Sequence, residues 1–102
     1  MIYFIKHTEF VKIGHTTDIS NRLNQLQTNC PVKLIVLGLI EGNFNDEKLH
    51  HQKFRHLCSY GEWFEYKIEL SQYIESLDRK LMWKHGFDTC LLYTSPSPRD
   101  AT

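Results

Sequence analysis

Glu47, His50, Phe54 and Leu57 are spaced at offsets of three, four and three, which puts all four side chains on one stripe of a helix. Phe54 and Leu57 must face a core, so Glu47 and His50 are expected at its upper edge, beside a sheet. A carboxylate in that position calls for a partner, because burying an unpaired charge costs several kcal/mol. An acid in the first turn of a helix is also stabilised by the helix dipole, so a purely structural role stays open for Glu47. Arg22 lies next to Ile19 and Leu23, at the margin of another apolar stripe, while Tyr3 and Lys12 stand in two short apolar runs near the N-terminus. As residue types, an arginine presents a fixed fork of donors that matches phosphate oxygens. Two bland alternatives stand beside these: Tyr3 filling the core with its hydroxyl at the surface, and His50 packing on the sheet with one nitrogen bonded.

The elements that must bring these residues together can be read from the apolar pattern. Ile2 to Lys6 and Phe10 to Ile13 are rich in branched and aromatic residues and predict an antiparallel hairpin across His7, Thr8 and Glu9. Gly14 ends the second strand, and Thr16, Thr17 and Asp18 offer N-caps for a helix whose buried face is Ile19, Leu23 and Leu26. That helix should stop near Thr28, ahead of Cys30 and Pro31. Lys33 to Glu41 reads as the central strand, shielded on both faces. Asn45 and Asp46 are candidate caps for a second helix from Glu47 to about Leu57. Ser59 to Gly61 should turn, Glu62 to Tyr66 should be a short extended piece, and Leu70, Ile74, Leu77 and Leu81 mark a third helix ending near Gly86. The expected fold class is α+β: a small three-stranded sheet, hairpin plus central strand, flanked by three helices. Tyr3, Lys12, Arg22, Glu47 and His50 can then converge at one mouth of the domain.

The chain has 102 residues, enough for one domain with a modest core, and 41% hydrophobic with 24% charged residues is a soluble globular profile. No apolar run approaches the roughly 20 residues that cross a membrane, and no basic region followed by an apolar stretch marks a secretory signal. Cys30, Cys58 and Cys90 show no close pairing, which points to a reducing cytoplasm rather than a disulfide framework. Twelve basic and twelve acidic residues cancel, although nucleic-acid affinity comes largely from cations on phosphate. The imbalance is local and slight. Met1 to Tyr60 holds seven Lys/Arg, five Asp/Glu and five of the six histidines, whereas Gly61 to Thr89 has four bases against six acids. His51, His56 and Cys58 have no spacing that makes a closed four-ligand zinc site.

Four motifs in order carry a resemblance. Ile2-Tyr3-Phe4-Ile5 and Val11-Lys12-Ile13-Gly14 resemble the paired strand motifs of the GIY-YIG nuclease superfamily. The likeness is to its phage and bacterial DNA-binding branch, named after an open reading frame of phage T5. Arg22 to Thr28 (RLNQLQT), Glu47 to Phe54 (EKLHHQKF) and Gly61-Glu62-Trp63-Phe64 match that branch's RLxxLQT, ExxLHxxF and GEWF signatures, and the likeness runs from Ile2 to about Tyr73. Leu49 and His50 each fall one place early, and no glycine precedes Tyr3; Lys12 stands where classical members of the superfamily have a second tyrosine, as in this branch generally.

The resemblance implies hydrolysis of a DNA phosphodiester around one divalent metal, magnesium or manganese. On this basis Tyr3 sits near the nucleophilic water, Arg22 holds the scissile phosphate and Glu47 ligates the metal. Lys12 and His15 join Arg22 in contacting DNA. Water activation rests on Tyr3, His15 or His50, because a lysine with an ordinary pKa near 10.4 is a poor base. The same likeness allows a DNA-binding module that keeps the phosphate site without cutting. Trp63 and Phe64 are read as structural, with stacking of Trp63 on a DNA base as the alternative, and Glu62 as a brace for Lys12 or Arg22.

Cys90 to Asp100, CLLYTSPSPRD, is similar to one reading frame of a transposase-type sequencing adaptor. The expected organisation is therefore a domain over residues 1–89 and a disordered tail over 90–102.

Overall fold

The computed structural model describes residues 1–87. The boundary near Thr89 and the adaptor-like tail lie outside the described residues.

Strands β1 (Ile2–His7) and β2 (Phe10–His15) form the expected antiparallel hairpin, with His7 opposite Phe10. Its two-residue turn holds Thr8 at φ 53°, an unusual place for a branched residue, and the Thr8 hydroxyl donates to the His7 carbonyl at 2.7 Å. Alternation along β1 sends Ile2 and Phe4 to one face and Tyr3 and Ile5 to the other. All four are buried, because each face has its own core. Ile2, Phe4, Val11, Ile13, Phe54, Phe64, Leu70 and Ile74 fill one; Tyr3, Ile5, Ile19, Leu34, Val36, Leu39 and Met82 fill the other.

Helix α1 (Ile19–Thr28) starts where the caps predict: the Asp18 carboxylate accepts from the Asn21 amide at 3.1 Å. It lays Ile19, Leu23 and Leu26 against the second core.

Strand β3 (Ile35–Ile40) corrects the expectation of a central strand. The sheet order is β3-β1-β2-β5-β4, so β3 is at the edge, antiparallel to β1, with a bulge opposite Phe4 and Ile5. Its apolar run reports cover on both faces: Leu37 packs in the first core, Val36 and Leu39 in the second.

Helix α2 (Phe44–Lys53) begins three residues earlier than expected because Asn43 is its cap. The Asn43 side chain accepts from the amides of Asn45 and Asp46, and the Asp46 carboxylate accepts from the Asn43 amide at 2.7 Å, a reciprocal capping box. The helix also stops earlier, giving way to a 3-10 turn over Arg55–Leu57.

Two further strands enlarge the expected three-stranded sheet to five: β4 (Cys58–Tyr60) and β5 (Trp63–Glu65), which pairs with β2. Gly61, at φ +58°, makes the turn between them. β4 is exposed throughout, so no burial pattern marks it in the sequence.

The expected third helix is two. Helix α3 (Ile68–Glu75) covers the first core with Leu70 and Ile74, and α4 (Lys80–Lys84) covers the second with Met82. Between them Ser76 donates to the Tyr73 carbonyl and Asp78 accepts from the Lys80 amide. The break carries the chain round the β3 edge from one face of the sheet to the other, which a single straight helix cannot do.

Candidate functional site

Tyr3 is directly opposite Gly14, and the absence of a side chain there lets the phenol lie across β2. A Cβ at position 14 would stand 2.4 Å from the Tyr3 hydroxyl. The ring is 2% exposed. Burial pushes its pKa up to about 12; the carboxylates of Glu62 and Glu47 push the same way, and Arg22 pulls against them. Side chains from β1, α1, α2 and the β4–β5 turn therefore share one electrostatic neighbourhood. At neutral pH the Tyr3 hydroxyl keeps its proton and can donate a hydrogen bond.

Glu47, in the first turn of α2, is buried at 6% exposure. Its carboxyl is pushed above the usual range, first by loss of water and then by the Glu62 carboxylate, with His51 and His15 opposing. The helix N-terminus favours the charged form, but it does not outweigh burial. The His51 Nε2 lies 3.8 Å from Glu47 Oε2 and donates at 2.7 Å to the Ile13 carbonyl. His51 thereby ties α2 to the end of β2, with its ring 5.1 Å from that of Phe64.

Lys12 points to the same face as Tyr3. Its ammonium is 3.1 Å from Glu62 Oε1 and 5.3 Å from the centre of the Trp63 ring. Glu62, weighed in the sequence as a brace for Lys12 or Arg22, braces Lys12 and also faces Glu47. Arg22 is half-buried on α1, and His15 is half-buried at the end of β2 within electrostatic reach of Glu47.

His50 goes elsewhere. It packs edge-on against Phe4 at 5.7 Å, on the opposite face from Tyr3. Its Nδ1 donates to the Asp46 carbonyl at 2.7 Å, so in the neutral ring Nε2 accepts from the Tyr73 hydroxyl, also at 2.7 Å. His56 pairs with Glu69 at 2.8 Å, and the Cys58 thiol donates to the Gly61 carbonyl. His51, His56 and Cys58 thus have separate partners.

Of the two alternatives for His50, its placement fits packing on the sheet, and the histidine beside Glu47 is His51, which sequence reasoning did not single out for that place. The signal was available: His51 is four residues after Glu47, and an i,i+4 pair shares a helix face. Leu49, the other displaced motif position, is 61% exposed.

For a divalent cation the relevant group is Glu47, a buried carboxylate with the Glu62 carboxylate beside it and the imidazoles of His51 and His15 opposing it. Among the described residues no cluster of three or more His, Cys, Asp or Glu forms a cage. The donor set suits an ion that keeps most of its waters, as magnesium does.

Among the described residues no helix is long and apolar enough to cross a membrane. Cys30 and Cys58 are free thiols. No curated protein and no solved structure matches the chain. One family does match, over a span that contains Tyr3, Lys12, Arg22, Glu47 and Glu62: the chain belongs to the T5orf172 domain family, a family of nuclease-type domains, through residues 1–80.

Proposed function

We propose that this chain is a DNA phosphodiesterase domain of the GIY-YIG type, cutting with a magnesium or manganese ion held at Glu47. The observation that carries the proposal is the buried Tyr3 phenol lying over Gly14 within electrostatic reach of Arg22 and Glu47, so that three separate elements bear on one hydroxyl. Family membership supports DNA as the partner and a nuclease-like or DNA-binding role.

Each residue then has work suited to its chemistry. Arg22 presents its guanidinium fork to the phosphate oxygens. Tyr3 stays protonated and donates a hydrogen bond that orients the attacking water or the phosphate. His15, at the end of β2, accepts the proton from that water, since His50 is engaged with Tyr73. His51 holds Glu47 in place through the Ile13 carbonyl. A divalent cation bound there would supply charge stabilisation at the leaving oxygen.

A second reading has its own support. Lys12 is held by Glu62, and a phenol with a pKa of about 12 is a weak base at neutral pH. Both suit a module that grips DNA without cutting it. Supercoiled plasmid incubated with the purified chain separates the two. The enzyme predicts nicking with magnesium or manganese, none with chelator, and loss in Glu47→Ala but not in Glu75→Ala. Absence of nicking with Arg22-dependent binding favours the module, and no DNA effect of either variant discards both.

A further inference from the structure

Cross-strand registry lays out a row of side chains on the face that carries Tyr3. Ile5 is opposite Lys12, Lys12 opposite Trp63, and Trp63 opposite Tyr60 across a register shift in β4 that offsets Tyr60 from Cys58; directly opposed residues of adjacent strands point to the same side. At the β1 end the row is covered, with Ile5 buried in the core that α1 and α4 build over β1 and β3. That core takes no residue from β2, β4 or β5. Trp63 is accordingly half-buried and Tyr60 is 79% exposed.

The two rings are not equivalent. Trp63 is braced, with the Lys12 ammonium 5.3 Å from its centre and the His7 ring edge-on at 5.8 Å. The Tyr60 side chain makes no hydrogen bond and no ring contact among the described residues. One exposed aromatic needs no explanation. Two on an uncovered face, in a row with a lysine and beside the Tyr3 site, do.

We infer that Trp63 and Tyr60 form a shelf on which unpaired nucleobases stack while the adjoining phosphate lies at Arg22. The inference rests on the nucleic-acid reading of the Tyr3, Arg22 and Glu47 site and names the form of substrate that site takes: a strand whose bases are locally out of the duplex. Aromatic rings offer a flat face to any base, whereas the bases of an intact duplex are already stacked on each other. Charge supports the assignment. With twelve basic and twelve acidic residues, the chain has little net attraction for a phosphate backbone, so contacts that salt does not screen have to add to those of Arg22. Stacking is such a contact.

The test is fluorescence anisotropy with a labelled mixed-sequence oligonucleotide, single-stranded or annealed to its complement, in chelator so that nothing is cut. The whole chain is compared with Tyr60→Ala, Trp63→Ala, Trp63→Phe and Arg22→Ala. The shelf predicts tighter binding of the single strand than of the duplex. Tyr60→Ala and Trp63→Ala should each weaken the single strand about tenfold without changing its salt dependence, and Trp63→Phe should restore most of the loss. Tyr60 is exposed enough that its truncation does not threaten the fold. If Tyr60→Ala leaves single-strand affinity unchanged, or weakens both forms equally, while Arg22→Ala still lowers it, the shelf is wrong and the phosphate site stands. If the whole chain binds neither form, the nucleic-acid reading falls with it.

Discussion

The phenol of Tyr3 lies over Gly14 so closely that a methyl group at position 14 would meet its oxygen at 2.4 Å and its ring carbon at 2.5 Å. Glycine at the end of β2 is therefore a steric requirement of the site, since the φ of Gly14 is not in the left-handed region. Without that gap the hydroxyl cannot keep the position in which Arg22, Glu62 and Glu47 act on it electrostatically.

Gly14→Ala should displace the Tyr3 ring. The overlap with a fully buried side chain predicts a loss of about 1–3 kcal/mol in stability. Urea denaturation measures that cost. DNA cutting by the folded variant should fall further than Tyr3→Phe alone reduces it, because the whole ring moves.

Glu47→Gln should stabilise the protein at neutral pH while abolishing metal-dependent cutting. The folded state holds the Glu47 proton more tightly than the unfolded chain does, because burial and Glu62 disfavour the charged carboxylate. Stability from this group is present below its ordinary carboxylate range and is lost as pH rises through the raised folded value. The melting temperature of Glu47→Gln should exceed that of the parent at neutral pH, and the gap should close in acid. A variant less stable at neutral pH would mean that the carboxylate is well compensated after all.

The two adjacent histidines should separate cleanly. His50→Ala leaves the Tyr73 hydroxyl and the Asp46 carbonyl without their partners and should cost about 1–3 kcal/mol, with the pH profile of cutting unchanged. His51→Ala loosens Glu47 and should raise the metal concentration needed for half-maximal cutting. Stability curves and metal titrations of the two variants decide this.

Arg22→Ala should reduce the salt dependence of DNA binding as well as the affinity. Loss of one phosphate contact lowers the slope of log K against log salt by about 0.7–0.9. An affinity loss with an unchanged slope would assign Arg22 a packing role on α1.

How much of this was legible in the sequence varies with the kind of signal. The hairpin and α1 were readable because alternation, a capping aspartate and a proline all agreed on their limits. The order of strands was not. The apolar run at β3 reports burial on both faces, and an edge strand under helices on both sides has the same composition as a central one. β4 has no buried residue, and α3 and α4 share one continuous apolar pattern although they cover opposite faces. At the site, Tyr3, Arg22 and Glu47 were named from motif and spacing. Between the two adjacent histidines the helical offset was the better guide: His51, four residues after Glu47, is the one beside its carboxylate, while His50 packs on Phe4 and Tyr73.

The central claim is that Tyr3, Arg22 and Glu47 act as one site, and a double-mutant cycle tests it most directly. Single-turnover nicking rates in magnesium are measured for the parent, Arg22→Ala, Glu47→Gln and the combination. Groups that serve one transition state are strongly non-additive, so the double variant should be about as slow as the worse single one. Rates that fall by the product of the two single effects, or a Glu47→Gln variant that cuts as fast as the parent, would contradict the account.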